Sequence, residues 1–113
     1  MCTQTQLNKI TQEISARIRD ILGDRLHKII LYGSYARGDY DSGSDIDIMV
    51  LADVADDELS EIKEYICNLS SDISLENDIT VSIFIKDWGF FNRHVNILPF
   101  YKNVVTEGVN IYG

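Results

Sequence analysis

The chain has 113 residues, is 45% hydrophobic and 25% charged, and carries a formal net charge of −8. That length predicts one domain over residues 1–113, with one core and a modest stability margin. The acidic balance points away from a sequence-independent nucleic-acid binder, which needs a basic surface to displace counterions from phosphates. The two cysteines, Cys2 and Cys67, have neither metal-ligand nor redox spacing, so no disulfide framework is expected and a reducing cytoplasm is the expected location. No secretory apolar region opens the sequence, and no apolar run is long enough to span a bilayer.

In chain order, Leu7, Ile10, Ile14, Ile18 and Ile21 recur at steps of three and four between about Gln4 and Leu22. They share one face of a predicted helix, and Gly23 supplies its stop. His27 to Tyr32 is a short β-branched run that predicts a strand buried on both faces. Gly33 to Ser44 reads as a short helix start followed by a loop. Asp45 to Leu51 predicts a second strand. Asp56 and Asp57 are placed to open a helix whose apolar stripe is Leu59, Ile62, Ile66, Leu69 and Ile73. Cys67 falls in that helix, at its core or flank. Asp78 to Ile85 alternates polar and apolar residues and predicts a third strand with one face less buried. The tail predicts helices near Asp87–His94 and Phe100–Glu107, split by Pro99. The order α-β-(α)-β-α-β-α gives an α/β, two-layer domain with a small mixed sheet flanked by helices.

One segment carries chemistry. Gly33 and Ser34 sit where a strand ends and a helix begins, so backbone N–H groups there can meet a phosphate, and Gly33 permits close approach. The Ser34 hydroxyl can add a hydrogen bond, and Arg37, one turn on, offers a planar fork to the same anion. The alternative is a capped helix with a surface arginine. Asp45 and Asp47 lie two apart on a strand, about 7 Å along the backbone and on the same side. Two such carboxylates repel unless a cation lies between them, and hard oxygen donors suit Mg²⁺ or Mn²⁺. Ile46, Ile48 and Val50 face the other way, into the core. Asp78, expected to open the next strand, is the candidate for a third carboxylate or for the base that deprotonates an acceptor hydroxyl, with Glu76 a weaker substitute; the alternative for Asp78 is a strand-start turn residue.

With Gly33-Ser34, Arg37-Gly38 and Ser44-Asp45-Ile46-Asp47 in this order and spacing, the chain resembles the polymerase-β-type nucleotidyltransferases, and more narrowly their minimal members. The resemblance implies a polymerase-β-like fold. It implies that Asp45 and Asp47 ligate metal, that Asp78 supplies the third ligand, and that Gly33 and Ser34 contact the triphosphate. It implies Mg²⁺, as two ions, and ATP as donor of AMP. Many minimal members are antitoxins paired with an all-helical HEPN ribonuclease toxin, and some adenylylate that toxin on tyrosine. The segments Phe100-Tyr101-Lys102-Asn103 and Glu107-Gly108-Val109 are similar to the ends of such antitoxins.

The remaining features leave alternatives. A chain this short has no acceptor-binding domain, which favours an acceptor borrowed from a partner protein over a small molecule. Trp88, Phe90, Phe91, Phe100 and Tyr101 either cover a sheet face or form a protein interface. Tyr35 and Tyr40 either stack on a base or line the surface. His27 and His94 read as surface or satisfied residues. A binding module that neutralises a partner by contact, with a silent site, is the competing class.

Overall fold

The computed structural model describes residues 3–41 and 43–113; Cys2 lies outside them. The first helix, α1 (Gln4–Leu22), starts where the Thr3 side chain accepts a hydrogen bond from the Gln6 N–H and ends at Gly23, whose N–H bonds back to the Arg19 carbonyl. A 3₁₀ turn (Gly23–Arg25) leads into β1 (Leu26–Tyr32). A single-turn helix, α2 (Ser34–Arg37), follows, and then β2 (Ile46–Ala52), α3 (Leu59–Asn77) and β3 (Val81–Asp87). The tail forms α4 (Trp88–His94), α5 (Pro99–Glu107) and β4 (Val109–Tyr112).

The strands form one mixed sheet in the order β3-β2-β1-β4. β1 is antiparallel to both β2 and β4, while β2 and β3 are parallel, as the long crossover through α3 requires. Strand periodicity divides the core. Ile29 and Leu31 of β1, Ile46, Ile48 and Val50 of β2, and Val81 and Ile85 of β3 pack with the stripes of α1 and α3. On the opposite face, Ile30, Met49 and Leu51 pack with Phe91, Tyr101 and Val104 of the short tail helices. This is the expected small mixed sheet flanked by helices.

Several expectations need correction. Asp78 does not open the third strand. It caps α3 in the left-handed conformation (φ 52°, ψ 42°), with its N–H bonded to the Ser74 carbonyl, and β3 begins only at Val81. Aspartate tolerates this conformation better than most residues, so the Asn77-Asp78 turn signal prevailed over the alternating pattern. Asp45 precedes β2 instead of lying in it. Asp56 and Asp57 form a turn ahead of α3. Pro99 lies inside α5 at its first turn, where the missing N–H has no intrahelical role. The tail also holds β4, absent from the expected order. Cys67 lies in α3 as expected, on its exposed flank.

Candidate active site

Two segments of distant character meet at the end of the sheet. β1 runs out through Tyr32 into Gly33, and β2 enters through Asp45, Ile46 and Asp47. Because β1 and β2 are antiparallel, Tyr32 lies opposite Asp47, and the turn at Gly33 lies directly beside that aspartate. The fit is close. A Cβ on Gly33 would stand 2.6 Å from Asp47 Oδ2, and Gly33 has φ 76° and ψ −157°, which residues with side chains rarely adopt. Glycine is therefore required twice, by the backbone and by the carboxylate seated against it. The Gly33 carbonyl accepts the Ala36 and Arg37 N–H groups, and Ser34 accepts the Gly38 and Asp39 N–H groups, so a tight turn holds Ser34.

Ahead of Asp45, the polar groups of Asp41, Gly43 and Ser44 bond to one another. Asp41 Oδ1 accepts from the Gly43 N–H at 2.8 Å, and Ser44 Oγ accepts from the Asp41 N–H at 2.9 Å. The Ile46 N–H then donates to the Thr80 carbonyl at 2.9 Å, fixing the entry to β2. Ile46 and Ile48 are fully buried on the α1–α3 face, so Asp47 between them is directed to the other face of the sheet.

The electrostatics fit a charged ligand. Burial first, and the neighbouring Asp45 carboxylate second, raise the Asp47 carboxyl above its ordinary range, while Arg37 opposes them. The Tyr32 hydroxyl is pushed up to about 12 by burial and by the Asp47 charge. Asp47, made costly to ionise, and the neighbouring Asp45 are both hard oxygen donors and suit a divalent cation such as Mg²⁺. Asp78 is placed differently. It lines, with Gly43, Ser44, Asp45 and Thr80, a cleft of about 490 Å³. Among the described residues, no three or more His, Cys, Asp or Glu side chains are grouped to hold a metal ion. The residue of β3 level with Asp47 is Ser82.

Arg37 is exposed, and its guanidinium bonds to Asp39 at 3.2 Å and to Glu107, at the end of α5, at 3.3 Å. The sequence reading missed Glu107 and Tyr32 as members of the site. Only the long-range pairings bring them in, and no local motif marks either. Tyr35 is buried and stacks on Tyr40 at 4.4 Å, so it belongs to the core and not to a base-stacking surface. His27 bonds to Asp53 at 2.8 Å and stacks on Trp88, and His94 Nδ1 lies 2.8 Å from the Phe90 carbonyl, both satisfied as expected. The tail aromatics divide: Trp88, Phe91 and Tyr101 pack inward, whereas Phe90 and Phe100 are exposed.

A glycine-serine turn set against an Asp-x-Asp strand, on a mixed sheet of this order, defines a nucleotidyltransferase. The sequence matches the nucleotidyltransferase domain family over residues 12–108, and the chain belongs to that family. Two candidate protein adenylyltransferases of Methanocaldococcus jannaschii are similar to it. MJ0604 is 34% identical over 104 residues, covering 92% of this chain and 96% of the relative. MJ0141 is 40% identical over 80 residues, covering 71% and 79%. Among solved structures, a toxin–antitoxin crystal structure with AMP-PNP superposes with a TM-score of 0.57 at 25% identity, over 91% of this chain and 73% of that one. A candidate nucleotidyltransferase from Sulfolobus solfataricus gives 0.54 at 25% identity, over 95% and 80%. Among the described residues, no helix is long and apolar enough to cross a membrane.

Proposed function

We propose that this nucleotidyltransferase moves AMP from ATP to a hydroxyl of a partner protein, a HEPN-type toxin, and thereby acts as its antitoxin. The observation that carries the reading is the contact of Gly33 with Asp47, which sets the triphosphate turn against the acidic pair. Similarity to proteins named as protein adenylyltransferases, and to a toxin–antitoxin structure containing an ATP analogue, supports the donor and the acceptor class.

In this reading Asp45 and Asp47 would hold Mg²⁺, and Asp78, which shares a cleft with Asp45, is the candidate third ligand. When bound, the cation would supply charge neutralisation to the triphosphate. The backbone at Gly33 and Ser34, with the Ser34 hydroxyl and the Arg37 fork, binds and orients the triphosphate. A hydroxyl of the acceptor then attacks the α-phosphorus, pyrophosphate leaves, and the acceptor proton passes to a carboxylate at the site, for which Asp78 is the candidate. Catalysis by these residues is positioning and charge stabilisation.

A second reading, neutralisation by contact alone, draws on the exposed Phe90, Ile97, Leu98 and Phe100 of the α4–α5 segment. One experiment separates the two. The protein is incubated with Mg²⁺, α-labelled ATP and a HEPN-type toxin from its own genome. Label on that protein, absent with Asp45→Asn/Asp47→Asn, supports transfer. A stable unlabelled complex with full neutralisation by the variant supports contact alone.

A further inference from the structure

Arg37 is held from two directions. Its Nε donates to Asp39 Oδ2 and its Nη1 to Glu107 Oε2, at 3.2 and 3.3 Å. Asp39 is a neighbour in sequence. Glu107 is not, and its place is fixed independently of the ion pair. The next residue is Gly108, where a Cβ would stand 2.3 Å from the Val104 carbonyl oxygen and 2.5 Å from Ile30 Cγ2. Only glycine lets the chain leave α5 pressed so closely against β1. The Gly108 N–H closes the helix on the Val104 carbonyl at 2.9 Å, and Val104 is buried in the core. Packing thus delivers Glu107 to Arg37.

Arg37 by itself stands on a single helical turn and is exposed, so its long side chain has many rotamers to lose on binding an anion. Two carboxylates at Nε and Nη1 remove that freedom beforehand. A guanidinium has five N–H groups, and its Nη2 edge is left to face an anion. The guanidinium also stands near enough to Asp47 to favour that carboxyl's ionised form.

We infer that Glu107 is a positioning residue for the nucleoside triphosphate, holding Arg37 in the rotamer that offers its fork to the phosphates beside Gly33. The inference rests on Arg37 being a phosphate contact. The opposite role, a latch that withholds Arg37 from the ligand, uses the same ion pair and predicts the opposite sign.

The test measures the Kd of AMP-PNP with Mg²⁺ by calorimetry, at fixed ionic strength, together with KM and kcat for ATP. The proteins are wild type, Arg37→Ala, Glu107→Ala, Glu107→Asp and Glu107→Gln. Positioning predicts that Glu107→Ala weakens binding roughly threefold to tenfold, with KM rising alike and kcat changing less than about twofold. Glu107→Asp, with its charge withdrawn by one methylene, also weakens binding. Glu107→Gln, whose amide oxygen still accepts from Nη1, stays within about twofold of wild type. Wild-type or tighter binding by Glu107→Ala and Glu107→Asp, with Arg37→Ala weakened, overturns the inference and leaves Arg37 as a phosphate contact. An Arg37→Ala variant that binds like wild type removes the underlying reading of Arg37 itself.

Discussion

Replacing Gly33 by alanine should damage both the fold and the site, for separable reasons. The backbone there has φ 76° and ψ −157°, and holding a residue with a side chain in so sparsely populated a region costs about 1–3 kcal/mol. The added Cβ would also lie 2.6 Å from Asp47 Oδ2. Asp47 cannot retreat cheaply, because its strand is anchored by the fully buried Ile46 and Ile48. For a chain of 113 residues the unfolding entropy is about 0.24 kcal/mol/K, so a loss of about 2 kcal/mol lowers Tm by roughly 8 °C. Displacing the Asp47 carboxylate by about 1 Å lowers transfer by about 10²-fold. Thermal melting and label transfer measure the two effects. A double-mutant cycle separates them further: in an Asp47→Ala background the steric component disappears and Gly33→Ala costs only the backbone component. Melting of Gly33→Ala within about 2 °C of wild type, with unchanged transfer, would refute the seating of Asp47 on Gly33.

Asp47→Asn should abolish transfer yet raise Tm at neutral pH. Asp47 has a raised folded pKa, so stability is greatest with the carboxyl protonated and falls as pH rises through that pKa; the variant's advantage must shrink in acid, which melting across pH checks. Tyr32 is held at about 12 in the fold, against about 10 unfolded. Its contribution is complete below pH of about 10 and is lost towards pH of about 12. Tyr32→Phe should therefore flatten the alkaline decline in stability, and ultraviolet titration should lose a late-ionising tyrosine. Asp78→Gly should raise stability by about 0.5 kcal/mol, or roughly 2 °C in Tm, since glycine meets no penalty at φ 52°; a lower Tm would mean that the Asp78 side chain stabilises the cap.

Much of the sheet was legible because periodicity is local information. The stripes of α1 and α3 and the apolar runs Ile29–Leu31 and Ile46–Val50 each point to one solution. The site was legible for the same reason, since Gly33, Ser34, Asp45 and Asp47 are close in sequence on either side of one loop. β4 was not legible. Val109–Tyr112 is four residues, too short for its alternation to mark a strand, and its strand character comes from pairing with β1, where Asn110 meets Ile30. The start of β3 was misplaced because Asp78, Thr80 and Ser82 imitate a strand's polar face. What decides there is α3, whose Ser74 hydroxyl accepts the Val81 N–H at 2.9 Å and whose Ser70 hydroxyl bonds to the Val81 carbonyl. Glu107 was invisible because seventy residues separate it from Arg37.

The most direct measurement is calorimetric binding of AMP-PNP with and without Mg²⁺, to wild type and to Asp45→Asn/Asp47→Asn. A metal-held triphosphate at the Gly33–Asp47 junction predicts binding to wild type that requires Mg²⁺, and at least about tenfold weaker binding to the variant. Equal, Mg²⁺-dependent affinity in both proteins would contradict the assignment of the acidic pair.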